Sequence, residues 1–179
     1  MVPKIKRKYC PLVLILAAGT LIFGGSFFKV ASFEKASFQI QVAQVLDGDT
    51  FLDIQGQSYR IHAVNTPELS AKNARQRQLA YAAKDYLENL IHGQTLTIKI
   101  ETSDQYQRVV VRAFFQSFDL AFLLLEAGYA KVRYISLNSK SRFYTNDHRY
   151  FAHLLERQHR AFLAKKGVWN TRKMLKWEN

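Results

Sequence analysis

Apolar and polar positions alternate in the first half of the chain in a way that predicts three antiparallel strands. Residues 38–45 read FQIQVAQV, which is the period of a strand with one buried face. Asp47-Gly48 is a two-residue sequence typical of hairpin turns. The predicted strands cover residues 38–45, 50–54 and 58–64, with turns at 47–48 and 55–57. Residues 65–68 then follow directly on the third strand.

A helix and two more strands are predicted next. The helix has Ser70 as its N-cap and Gly93 as its C′ residue, because the apolar residues between them recur at helical spacing. These apolar residues are Leu79, Ala83, Tyr86, Leu87, Leu90 and Ile91. Residues 95–101 alternate as a fourth strand, and residues 108–115 are nearly all apolar on both faces, as expected of a fifth strand buried in a barrel.

Two further helices are predicted after the fifth strand. Asp119 caps a short helix over residues 120–127, which Gly128 ends, and Asn146 caps a last helix, which Gly167 ends. The apolar face of the last helix comprises Phe151, Leu154, Leu155, Phe162 and Leu163.

This order of elements predicts an α+β fold with a mainly β core. A closed sheet of five strands with three helices packed outside it fits the order, and the five-stranded OB-fold barrel is one such architecture. The strand pattern alone also allows a sandwich or a mixed α+β sheet.

The N-terminal segment predicts export. Lys4, Lys6, Arg7 and Lys8 form a basic cluster, and the nineteen residues 10–28 carry no charge and are mostly apolar, which predicts an N-terminal apolar helix. A cleaved signal peptide has this order of parts, and so does a membrane anchor of spanning length. Both interpretations remain open, and both place the rest of the chain outside the cytoplasm.

The chain is therefore divided into four parts. Residues 1–29 are a signal peptide or a membrane anchor through residues 10–28, residues 30–37 a linker, residues 38–170 the folded domain and residues 171–179 a basic tail. The expected location is extracytoplasmic, either secreted or held at the membrane.

Charge and cysteine content narrow the class of function. The 179 residues carry a net charge of +12, which attracts polyanions such as nucleic acid but also fits a well-solvated surface. Cys10 is the single cysteine, so the chain has neither an internal disulfide nor a cysteine-type zinc site. The five histidines show no His-x-x-x-His spacing typical of a metal site.

Several short motifs occur in a fixed order along the chain. They are Asp47-Gly48-Asp49-Thr50, Arg60 on the third strand, Asn65-Thr66-Pro67-Glu68, Asp104-Gln105-Tyr106-Gln107-Arg108, the helix exit within residues 119–132 and Lys166-Gly167-Val168-Trp169. Together they resemble the staphylococcal nuclease (thermonuclease) family, over nearly all of residues 38–169. The resemblance implies the OB-fold barrel and a Ca²⁺-dependent phosphodiesterase acting on DNA and RNA.

The resemblance also implies a role for each matching residue. Asp49, Asn65 and the carbonyl of Thr66 would hold Ca²⁺, which takes oxygen ligands. Glu68 would be the general base that activates water. Arg60 and Arg108 would bind phosphate oxygens and stabilise the phosphorane-like transition state. Tyr106 and Tyr134 would line the nucleotide pocket of a single-stranded or flexible substrate.

The chain departs from the family pattern at several positions, of which Asn65 matters most. Asn65 stands where aspartate is usual, so the site loses a full negative charge and a weaker Ca²⁺ affinity is expected. Gln107 stands where glycine is usual, and Gln158 where glutamate is common.

Other interpretations stay open at this point. The chain could be a non-catalytic nucleic-acid-binding module with a weakened metal site, or a surface protein whose charge only holds it on an anionic membrane. Arg60 could simply pair with Asp53 across the sheet, and Arg108 could be a surface strand end.

We expect residues 1–37 to export a fused reporter that works only outside the cytoplasm. The basic cluster followed by nineteen uncharged residues is the reason. The measurement is reporter activity relative to reporter protein level. A reporter that is well expressed but inactive would remove the export hypothesis.

Overall fold

The fold is built on a sheet that closes on itself into a barrel. The computed structural model describes residues 37–170. Its strands are β1 (Ser37–Val45), β2 (Thr50–Asp53), β3 (Ser58–Ile61), β4 (Val64–Asn65), β5 (Thr95–Ser103), β6 (Val109–Phe115), β7 (Phe118–Asp119) and β8 (Lys131–Val132). The helices are α1 (Ala74–Ile91), α2 (Leu120–Ala127) and α3 (His148–Leu163), followed by a 3-10 turn (Gly167–Trp169).

Pairing of β3 with β6 closes the barrel. The sheet order is β3-β2-β1-β5-β6-β7, and β3 also runs parallel to β6 with Arg60 opposite Val110. The five long strands thus form a closed ring, with the three helices outside it. The predicted α+β class and OB-fold barrel are confirmed.

One continuous core joins the barrel to its helices. Phe51, Ile61 and Ile98 of the barrel are fully buried together with Leu87 of α1 and Leu124 of α2. Burying a side chain of this size contributes about 1.5–3 kcal/mol each, so the packing of α1 and α2 on the barrel is a main source of stability.

The third strand is shorter than predicted. It ends at Ile61, because Ala63 adopts a left-handed conformation with φ of 64° and the chain turns there. Val64 and Asn65 then leave the barrel and pair with Val132 and Lys131 of β8 in a separate two-stranded sheet.

Two predicted helix caps are wrong by one to three residues. Asn73, not Ser70, caps α1, since its side-chain oxygen accepts a hydrogen bond from the Gln76 backbone N–H. Asp147, not Asn146, caps α3 through the Tyr150 N–H. For α2, the predicted cap Asp119 is confirmed.

The predicted apolar face of α3 is only partly buried. Its fully buried residue is Leu154, while Leu155, Phe162 and Leu163 are exposed. The buried face of α3 also includes Tyr150 and Ala161. The helix therefore buries Tyr150, Leu154 and Ala161 and leaves part of the apolar face named from the sequence exposed.

An arginine of β6 fixes the start of α3 on the barrel. Arg112 pairs at 3.1 Å with both Glu101 of β5 and the cap residue Asp147. Its guanidinium also lies 3.6 Å from the centre of the Tyr150 ring. Two contacts of this half-buried guanidinium therefore hold the start of α3, and the third, to Glu101, anchors the guanidinium on the barrel.

Two glycines meet where α2 ends and the 3-10 turn begins. Gly128 has φ of 79° and directly follows α2, and its carbonyl accepts a hydrogen bond of 2.9 Å from the Val168 N–H. A side chain on Gly167 would overlap the Gly128 backbone. Gly167 thus does not end α3, which stops at Leu163, but allows this close contact.

Some sequence predictions fall outside residues 37–170. The proposed signal peptide or anchor, residues 30–36 of the linker and the basic tail lie there; Ser37, assigned to the linker, begins β1. Within the described range, no helix combines the length and the apolar character needed to cross a membrane.

We expect Gly167→Ala to lower the free energy of unfolding far more than Gly56→Ala. Both glycines have positive φ, so each alanine incurs about 1–2 kcal/mol of left-handed strain. Only Gly167 also lacks space for a methyl group, whereas Gly56 has nothing within 4 Å of an added Cβ atom. Urea unfolding of both variants measures the difference, and equal losses would contradict the close contact.

Candidate active site

Asp49 is brought into the site by a tight turn between β1 and β2. The Asp49 N–H donates to the Asp47 side chain at 3.0 Å. A methyl group on Gly48 would lie 2.7 Å from the Ala83 side chain and 2.8 Å from Thr66 Oγ1, so only glycine lets the turn pack this closely against α1 and the loop after β4. As a result Asp49 is only 5% exposed.

The Asp49 carboxylate accepts three hydrogen bonds. Its Oδ2 accepts from Arg60 Nη2 at 3.2 Å and from the Thr66 N–H at 3.1 Å. Its Oδ1 accepts from the Thr50 hydroxyl at 3.1 Å. Arg60 Nη2 also donates to Asn65 Oδ1 at 3.2 Å, so one guanidinium nitrogen joins the acid to the amide.

Burial raises the pKa of Asp49 to about 6, although the nearby Arg60 charge and the Thr66 N–H lower it. Desolvation disfavours the charged form, and the surrounding donors recover only part of that cost. A positive charge beside Asp49, such as that of Arg60 or of a bound cation, therefore favours the ionised carboxylate. The ionised form is the one that can bind a cation.

The β5–β6 turn presents Arg108. Asp104 organises this turn by accepting from the backbone N–H groups of Tyr106 and Arg108, and its Oδ2 accepts from Arg108 Nε at 2.7 Å. Gln107 has φ of 64°, so it occupies the left-handed position at which the family pattern has glycine. Although burial acts to raise it, these bonds hold the pKa of Asp104 below its usual value.

Arg108 extends from this turn to Thr50, which is hydrogen-bonded to Asp49. Its Nη1 donates to the Thr50 hydroxyl at 3.2 Å. Thr50 therefore accepts from Arg108 and donates to Asp49 through one oxygen.

Both candidate tyrosines lie against the candidate arginines. The Arg60 guanidinium is 4.9 Å from the centre of the Tyr134 ring, and that of Arg108 is 5.4 Å from the Tyr106 ring. Tyr134 has φ of 56°, an uncommon conformation for a large residue, and its ring packs edge-on against Phe143. Both rings remain exposed, Tyr106 at 69% and Tyr134 at 42%.

Glu68 lies on the loop between β4 and α1, where its side chain is exposed. Its backbone carbonyl accepts from the Ala71 N–H, which continues the loop towards α1. Glu68 thus shares the loop of Asn65 and Thr66 but takes no part in the hydrogen bonds around Asp49 described above.

The simpler interpretations of the arginines do not hold. Asp53 accepts from the N–H groups of Gln55 and Gln57 and from the Tyr59 hydroxyl, and Arg60 pairs with Asp49 instead. Arg108 is half-buried and joined to Thr50, so it is more than a surface strand end. Thr50 belongs to the Asp47-Gly48-Asp49-Thr50 motif, but the sequence pattern indicated no role for its side chain.

The expected donors at this site are oxygen atoms, which a hard cation prefers, but only one of the donor groups carries a full negative charge. Within residues 37–170, no group of three or more His, Cys, Asp or Glu side chains is placed to hold a metal. The donors expected from the sequence are the Asp49 carboxylate, the Asn65 amide oxygen and the Thr66 carbonyl, and the last accepts from Asn65 Nδ2 at 3.2 Å. The set fits Ca²⁺ by donor chemistry, with a single full negative charge.

Fold and site together define an OB-fold barrel with an acid and two arginines joined at one end. The family model for staphylococcal nuclease homologues matches residues 58–171, and the chain belongs to that family. It is 28% identical over 114 residues to a protein named probable endonuclease LCL3 from Phaeosphaeria nodorum. The match covers 62% of this chain and 36% of that relative, so the chain spans about a third of its length.

Proposed function

We propose that this protein is a Ca²⁺-dependent nuclease that hydrolyses phosphodiester bonds of DNA and RNA. The observation that carries the proposal is the hydrogen-bonded series Arg60–Asp49–Thr50–Arg108, which joins two guanidinium groups and one acid at one end of the barrel. Membership of the nuclease family and the name of the endonuclease relative support the reaction class.

The two arginines would interact with the phosphate in different ways. Arg108 is half-buried, and within residues 37–170 its Nη2 donates to no protein oxygen, which leaves N–H groups for a phosphate. Arg60 is 9% exposed and already bonded to Asp49 and Asn65, so it would act from a fixed position. Planar guanidinium groups match the geometry of phosphate oxygens and stabilise charge that grows in the transition state.

Glu68 is the proposed general base. Its exposure gives it access to water, and a carboxylate can accept the proton of a water that attacks phosphorus. Asp49 is less suited to this role because all its hydrogen bonds described above tie it to the protein.

Asp49, Asn65 and the Thr66 carbonyl are the residues that would hold Ca²⁺. When bound, the ion would neutralise phosphate charge next to the arginines. Asn65 offers its side-chain oxygen Oδ1 as a ligand, but its side-chain N–H donates to the Thr66 carbonyl, which is another of the proposed ligands. This supports a weak site rather than an absent one.

The exposed tyrosines favour a single-stranded or locally flexible substrate. Bases that are not held in a duplex can stack on the rings of Tyr106 and Tyr134, and such stacking contributes about 1–3 kcal/mol per base. The net charge of +12 would add attraction to any nucleic acid. The proposed place of action is outside the cytoplasm, with membrane attachment through residues 10–28 if that segment is retained.

Asn65 also favours a second candidate function, a nucleic-acid-binding module without catalysis. A site with one carboxylate binds Ca²⁺ less strongly than one with two. Cleavage of a fluorescent single-stranded oligonucleotide with Ca²⁺ and with chelator separates the two functions, with Glu68→Gln as the catalytic control. Binding without cleavage at any Ca²⁺ concentration would support the module and contradict the nuclease.

We expect Arg108→Lys to lower kcat by about a hundredfold while KM changes by only a few-fold. Lysine keeps the positive charge but loses the planar fork that meets two oxygens, and losing one such stabilising group costs about 10²–10³ in rate. Steady-state kinetics on one oligonucleotide measures both constants. Arg160→Lys, on the exposed face of α3, is the matched control. A kcat for Arg108→Lys within a few-fold of wild type would contradict the role of Arg108.

We expect Asn65→Asp to lower the Ca²⁺ concentration needed for half-maximal cleavage. Aspartate adds a charged ligand, and because it has no N–H to donate it also releases the Thr66 carbonyl. A tenfold shift would correspond to about 1.4 kcal/mol of metal binding. Calcium titration of the rate, with calorimetry of Ca²⁺ binding, measures the shift. Curves that overlie would mean that Asn65 does not ligate the ion.

A further inference from the structure

We propose that Thr50 is a positioning residue that holds Arg108 in register with Asp49. This inference rests on the proposed nuclease function and assigns a role to a residue in the protein interior. Thr50 is 2% exposed, so its hydroxyl serves the protein interior rather than solvent.

The two hydrogen bonds of the Thr50 side chain require one group that both donates and accepts, which a hydroxyl can do. Thr50 Oγ1 donates its single proton to Asp49 Oδ1 at 3.1 Å and accepts from Arg108 Nη1 at 3.2 Å. A carboxylate needs a donor and a guanidinium needs an acceptor. One hydroxyl satisfies both, which no apolar side chain of the same shape can do.

The backbone of Thr50 is held from both sides. Its carbonyl accepts from the Leu46 N–H at 2.9 Å, and it pairs across the sheet with Arg60. Threonine is also stiff at χ1 because it is branched at Cβ. Its hydroxyl is therefore a fixed point at the barrel end where Arg60 and Asp49 meet.

Arg108 needs such a fixed point. Asp104 holds Nε of the guanidinium, but the long arginine side chain can still turn about that contact. The Thr50 hydroxyl supplies a second contact, at Nη1, and two contacts define the plane of the group. Because catalysis depends on orientation to within about 1 Å, the loss of this contact should reduce transition-state stabilisation more than substrate binding.

The first test compares Thr50→Val, which keeps the shape and loses the hydroxyl, with Thr50→Ser, which keeps the hydroxyl. We expect Thr50→Val to lower kcat about tenfold with KM within threefold, and Thr50→Ser to keep most of the wild-type kcat. Tyr59→Phe is the matched control, since it removes another buried hydroxyl that bonds a carboxylate, Asp53, at 3.0 Å. Urea unfolding checks that stability losses are comparable. Equal kcat values for Thr50→Val and Tyr59→Phe would overturn the proposal.

The second test is a double-mutant cycle with Arg108→Lys. If Thr50 acts through Arg108, adding Thr50→Val to Arg108→Lys should change kcat less than threefold. The same tenfold loss in both backgrounds would overturn the positioning role. If Thr50→Val does not fold, Thr50→Ser and Thr50→Ala replace it, because they differ only in the hydroxyl.

The outcomes separate this proposal from the one on which it rests. A wild-type protein that does not cleave with Ca²⁺ overturns the nuclease function, and the positioning role with it. A wild-type protein that cleaves, together with a Thr50→Val variant of unchanged kcat, overturns the positioning role alone.

Discussion

The site depends on the cost of burying one carboxylate. Asp49 is almost inaccessible to water, and an isolated ionised carboxylate in such a place is strongly unfavourable. The chain compensates with a guanidinium, a backbone N–H and a hydroxyl, and each comes from a different segment: β3, the loop after β4 and β2. Satisfying this one group therefore fixes the relative positions of three pieces of backbone, and the proposed catalytic groups are attached to the same pieces.

The closure of the barrel explains why two arginines far apart in sequence serve one site. Parallel pairing places Arg60 of β3 opposite Val110 of β6, so the residue before β6, Arg108, lies at the same end of the ring. Thr50 is opposite Arg60 on the other side of β3. An open sheet with the same strands would leave β3 and β6 on separate parts of the sheet and would separate the two guanidinium groups.

The sequence predicted those features that depend on local chemistry. Alternating apolar residues gave the strands, and the Asp119 and Gly128 pair bounded α2, because a cap or a left-handed glycine acts within a few residues. The break at Ala63 could not be predicted, since alanine carries no preference for positive φ and the contacts made there, such as the pairing of β4 with β8, come from a distant part of the chain. The same holds for the buried face of α3 and for Thr50, whose partners lie one residue and 58 residues away along the chain.

The two-stranded sheet of β4 and β8 links the loop between β4 and α1 to the last helix. Gln158 of α3 accepts from the Val132 N–H at 2.8 Å, Val132 pairs with Val64, and Asn65 begins the loop that carries Glu68. The Arg133 N–H also donates to the carbonyl of Ala63 at the point where the chain leaves the barrel. A chain that stopped after β6 would still contain all five strands of the ring, but the segment that leads into the Glu68 loop would lack its pairing partner β8.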